Sequence, residues 1–144
     1  MTSARTIDPT ERLLGVSAAA LFLVALLTGL YAGGAMTGKL HVDAHAALAS
    51  HLNALMGTFL LVSYGWTLPM LRYGDVGRRR LAILFVASSF ANWAVTAAKA
   101  ALFVSGLAMS GAGGNDTIFV LLQTTVVLPG LVGAVAWLSG FRRP

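Results

Sequence analysis

The sequence predicts an all-α integral membrane protein, a four-helix bundle with both termini cytoplasmic. Three observations carry that expectation. Hydrophobic residues make up 57% of the chain and charged residues 10%, whereas a soluble domain carries about 25% charged residues. Four apolar stretches each reach the roughly 20 residues that cross a bilayer. Basic residues alternate from loop to loop, as they do when charge sets membrane orientation. The 144 residues suit one domain, read as an N-terminal arm over 1–12 and a transmembrane unit over 13–144.

The first span is expected over Leu13 to Ala35. Its apolar run exceeds the ~7–15 residues of a signal-peptide core, so it reads as a permanent anchor. In "TERLLG", Thr10 is a candidate helix cap, and the first dozen residues read as a mobile arm. The second span is expected over Ala46 to Leu71, the third over Leu81 to Leu107 and the fourth over Thr117 to Gly140. Pro69 and Pro129 fall inside apolar runs, which membrane helices accept where neighbours satisfy the freed carbonyl. Glycines in "LLTGLYAGG" and "PGLVGAV" suit close helix contacts. Trp66 and Trp137 lie toward the inner ends, where an aromatic belt is expected. No internal repeat or low-complexity segment stands out.

The charge pattern sets the expected orientation. Arg5 and Arg12 precede the first span, Arg72, Arg78, Arg79 and Arg80 fill the second loop, and Arg142 and Arg143 end the chain. The first loop has only Lys39, and the third, "SGAGGND", has no basic residue. Basic flanks stay in the cytoplasm. The formal charge of +5 thus belongs to topology, and lipid is the expected partner, not nucleic acid.

Several chemistries lack their groups. There is no cysteine, so disulfides, thiolate metal sites and a cysteine nucleophile are excluded. No glutamate lies inside a span, which argues against a proton-coupled small multidrug exporter. A serine–histidine–acid set, a phosphate-binding glycine loop and an intramembrane carboxylate pair are all missing, which disfavours acyl transfer, phosphoryl transfer and glycoside hydrolysis.

Polar residues inside the spans each need a partner or a purpose. Ser88, Asn92, Thr96 and Lys99 follow one another at four, four and three residues, which sets them on one face of the third helix. Ser88 and Thr96 either bond their own helix or face a ligand. Asn92 either pairs with another helix or serves a site. Lys99 either snorkels to the headgroups or pairs with an acidic group of a ligand. His51, in "ASHLNALMG", is expected at a depth comparable to that of Lys99. Alone it reads as a hydrogen-bonding residue or as a metal ligand. His41 and His45 are four apart and read as solvated residues near a helix entry, with a two-histidine metal site as the alternative. The residues support one polar seam containing a single histidine. In an enzyme of this kind a cofactor carries the chemistry, and imidazole is a common axial ligand of haem iron.

Two stretches, "ASHLNALMGTFLLVSYGWTLPML" and "ASSFANWAVTAAKA", resemble the small membrane proteins that include hydroxylaminobenzene mutase and styrene oxide isomerase. The mutase branch looks closer, on Ser50-His51-Leu52, Trp66 with Pro69, Ala91-Asn92-Trp93, and Leu26 to Leu30. The likeness runs from about Leu13 to the end and is densest over 49–100. It implies a homotrimer in a bacterial inner membrane, binding haem b and a small aromatic substrate. His51 matches the axial histidine and Asn92 an asparagine facing the site. Ferric haem would act as a Lewis acid, turning an arylhydroxylamine into an aminophenol or an epoxide into a carbonyl compound. Asn92 would orient the substrate, Thr96 and Ser88 would support it, and Lys99 would pair with a haem propionate. Two departures stand out. Where the family often has asparagine six residues after the histidine, the chain has Gly57, and Asn53 reads as lying on a different helical face. Ser88 and Thr96 stand where styrene oxide isomerase has an aspartate and a tyrosine. The rival reading is a non-catalytic membrane cytochrome or accessory subunit, with Met56 or Met70 as a second iron ligand.

Overall fold

The computed structural model describes residues 8–142. Arg5, Arg143 and the first seven residues of the expected arm lie outside the described residues. Those described are helical without strands, and four helices are long and apolar enough to cross a membrane.

Helix α1 spans Pro9–Met36. The Asp8 carboxylate accepts from the Thr10 N–H at 2.7 Å, and Pro9, whose fixed φ suits the first helical position, starts the helix. The cap is therefore Asp8, not Thr10, and residues 9–12 belong to the helix instead of an arm. Helix α2 spans Ala44–Thr67 and tightens into a 3-10 turn at Leu68–Met70, where Pro69 sits. Asp43 caps it through the Ala46 N–H at 3.0 Å, and the Asp43 N–H donates to the Ala100 carbonyl at 3.0 Å. That bond ties the start of α2 to the end of α3.

Helix α3 spans Asp75–Leu102. It stops short of the expected Leu107 because Phe103 turns left-handed (φ 52°) and the loop continues through Gly106 and Gly111, also at positive φ. Hydropathy runs on past this point, but the backbone has already turned. Helix α4 spans Gly113–Arg142 and widens to a π-helical stretch over Leu122–Val127. Pro129 explains the widening. It has no N–H for the carbonyl four residues back, at Thr125, and its ring crowds that turn.

The helices pack in chain order, α1 on α2, α2 on α3 and α3 on α4. Leu14, Leu21 and Ala25 of α1 meet Ala54, Leu61 and Tyr64 of α2 in one buried cluster. Nearer the first loop, Ala32, Ala35, Ala46, Ala47 and Ala100 form a second cluster; such small side chains let helix backbones approach. At the arginine-bearing end Tyr64, Phe85 and Trp137 stack edge to face, with centroids 5.1–5.8 Å apart. The Trp137 indole N–H donates to Thr67 Oγ1 at 3.0 Å, and the Tyr73 hydroxyl donates to the Ala136 carbonyl at 2.7 Å. Arg78 reaches back to the Leu71 carbonyl, so this arginine also braces its loop.

Gly133 seats α4 on α3. A Cβ there would lie 2.7 Å from Phe85 Cε1. Gly133→Leu is expected to push α4 off Phe85 and to destabilise the protein by about 1–3 kcal/mol, the usual cost of overpacking. Thermal unfolding in detergent checks this; an unchanged midpoint would mean that α4 does not rest on Phe85.

Candidate functional site

Helix α2 carries two polar groups that look in different directions. His51 and Asn53 are two residues apart, which is about 200° around a helix. The structure sends His51 toward α1 and Asn53 toward α3.

His51 is half-buried. Its Nδ1 lies 2.7 Å from the Ala25 carbonyl oxygen. A carbonyl only accepts, so Nδ1 carries a proton, and in the neutral ring the lone pair is then on Nε2. The ring lies against Gly29, where a Cβ would stand 3.2 Å from Cε1 and 3.4 Å from Nδ1. The glycine makes room for the imidazole, and the hydrogen bond sets its tautomer and orientation. Histidines that bind metal through one nitrogen commonly donate through the other to a carbonyl in this way. The group is therefore fit to hold iron through Nε2.

Asn53 Nδ2 donates to Asn92 Oδ1 at 3.1 Å and to Thr96 Oγ1 at 3.0 Å. These bonds leave the Asn53 carbonyl and the Asn92 NH2 for other partners. Asn53, Gly57, Ser88, Ser89 and Asn92 line a cleft of about 360 Å³, closed on one side by Val126 and Gly130 of α4. Val126 belongs to the π-helical stretch, so the widened turn forms part of the wall.

The expected seam is thus divided. Asn92 and Thr96 come together through Asn53, and Ser88 lines the same cleft while donating to its own helix at the Phe85 carbonyl, 3.3 Å away. His51 looks the other way. Lys99 lies half-buried in the last turn of α3, about 4.5 Å along the axis beyond Thr96. His41 stacks on Phe103 with centroids 4.9 Å apart. No group of three histidine, cysteine or acidic side chains fit for a metal occurs among the described residues. Met70 lies at the arginine-bearing end, roughly 28 Å along α2 from His51, too far to share an iron with it in one chain.

Two readings of single residues change. Asn53 and Gly57 share a face, because four residues make nearly one full turn, and both line the cleft. Gly57 itself is a packing requirement: a Cβ there would lie 2.8 Å from Leu21 Cδ2 and 3.0 Å from Ser89 Cβ. Asn53 was legible as a site residue from its four-residue spacing to Gly57. Ser89 carried no such signal, since its neighbour Ser88 already fitted the periodic face.

A family model described as styrene oxide isomerase matches residues 10–142. No curated protein and no solved structure matches the chain.

Proposed function

Because this chain belongs to the styrene oxide isomerase family, and so is a membrane isomerase in kind, we propose that it is a haem b-dependent enzyme rearranging a small aromatic substrate. The observation that carries the haem assignment is His51, whose Nδ1 is committed to Ala25 and whose Nε2 is free to ligate. Lys99 is the residue proposed to pair with a haem propionate. When bound, ferric haem would supply a Lewis acid for the substrate oxygen.

The chain's own residues have a separate task. The lining of the α2–α3–α4 cleft includes amides and hydroxyls but no ionisable side chain. These groups cannot act as a general base near neutral pH. They suit a rearrangement within one molecule, in which a bond to oxygen breaks, a hydrogen or hydroxyl migrates, and no oxidant is consumed. Asn92 is proposed to donate from its NH2 to the oxygen as negative charge develops there. Asn53 fixes the orientation of that amide, with Thr96 as the second acceptor and Ser88 as part of the wall. The apolar walls limit attack by water on a cationic intermediate. An aromatic epoxide, yielding a carbonyl compound, is the first choice of substrate. An arylhydroxylamine is the second, equally uncharged and so equally compatible with the lining.

We also propose a homotrimer in a bacterial inner membrane, with both termini cytoplasmic. His51 and the Asn92 cleft lie on different sides of α2, so a ligand reaching both would bridge two copies. Gln123 is exposed about 15 Å along α4, where an amide facing lipid is costly and a neighbouring chain would satisfy it.

The test is turnover by purified, haem-supplied protein in detergent, with styrene oxide and an arylhydroxylamine offered separately. The expected result is an arylacetaldehyde, an isomer of the epoxide, without added reductant. Conversion of neither compound by haem-loaded protein would overturn the isomerase assignment and favour a membrane cytochrome or accessory subunit.

A further inference from the structure

We infer that Ser89 is a specificity-determining hydroxyl, holding the acceptor oxygen of an uncharged, largely apolar ligand in the α2–α3–α4 cleft. The inference rests on the reading of this cleft as the substrate site.

Hydroxyls within the spans mostly satisfy themselves on their own helix. Thr28, Ser50, Thr58, Ser88, Thr124 and Thr125 all donate to a carbonyl three or four residues back. Ser89 does not. It is 5% exposed, and its Oγ is a buried polar atom without a hydrogen bond. The carbonyl four residues back, at Phe85, already accepts from Ser88. A buried hydroxyl without a partner is costly, and more so in hydrocarbon.

Its surroundings indicate what the missing partner is. Ser89 lines the cleft beside Asn92. Its Oγ lies 3.4 Å from the point where a Cβ on Gly57 would stand, so Gly57 keeps a side chain out of the space next to the hydroxyl. No hydrogen bond holds Oγ in its present position, so the hydroxyl is free to turn about χ1 to meet an acceptor in the cleft that Ser89 lines. Leu60, Met56 and Val126 make the remaining walls apolar. An anion would find no cation there and a cation no carboxylate. A neutral molecule with an apolar body and one acceptor oxygen meets two donors, the Ser89 hydroxyl and the Asn92 NH2.

The experiment uses two probes of one shape, acetophenone and α-methylstyrene, which differ by an oxygen in place of a CH2. Affinities of both are measured by ligand-observed NMR on the detergent-purified wild type and Ser89→Ala. Detergent partitioning cancels when the acetophenone-to-α-methylstyrene ratio is compared between the two proteins. The expected result is a preference for acetophenone in the wild type that falls roughly five- to tenfold in the variant, with α-methylstyrene binding unchanged. Ser89→Ala should unfold at the same or a higher temperature, because an unsatisfied hydroxyl has been removed. Equal loss of both probes, or an unchanged preference, would overturn the inference. The isomerase assignment fails separately, by absence of epoxide conversion while the oxygen preference persists.

Discussion

His51→Ala is expected to abolish the Soret band of haem-supplied protein, and with it turnover, while the four helices stay folded. The native-state loss is one hydrogen bond, from Nδ1 to the Ala25 carbonyl, worth about 1 kcal/mol net. The void left beside Gly29 is that of a half-buried ring. Neither effect is large against a buried cluster that extends from Leu14 to Phe85. Haem binding, in contrast, loses the imidazole assigned as its axial ligand. Visible absorption and far-ultraviolet circular dichroism on the same sample separate the two. Normal haem content in the variant would remove His51 from the iron, and lost helicity would reassign it to packing.

Asn92→Ala is expected to keep haem and to lower turnover by roughly 10²-fold, the scale on which enzymes lose rate when one donor to a developing oxyanion is removed. Two things are lost, the NH2 proposed to face the substrate oxygen and the Oδ1 that accepts from Asn53. Thr96 Oγ1 still accepts from Asn53, so the cleft should keep its shape. The measurement is kcat and KM on the substrate found by screening, beside the Soret absorbance per protein. A fall in kcat with KM little changed assigns Asn92 to the transition state. Unchanged turnover would leave it only as a brace for Asn53.

The helices were more legible in the sequence than the site. All four spans were readable, since each is a local run of apolar residues long enough to cross a bilayer. Their ends were less so. The start of α1 depends on Asp8 and Pro9, and the end of α3 on the left-handed turn at Phe103; both are backbone events that hydropathy averages away. The face carrying Ser88, Asn92 and Thr96 was readable because helical periodicity is also local. The grouping of His51 with that face was not correct. Membership of a seam depends on which neighbour each side of α2 meets, and His51 meets α1 while Asn53 meets α3.

By itself, then, the sequence determined the class of the protein, its spans and which polar residues needed explanation, because length, hydropathy and charge act along the chain. Only the tertiary structure decided that Gly29 receives the imidazole, that Gly57 is filled by Leu21 and Ser89, and that Ser89 has no partner of its own. Those facts arise where three helices meet, from contacts between residues dozens of positions apart, and no single helix encodes them.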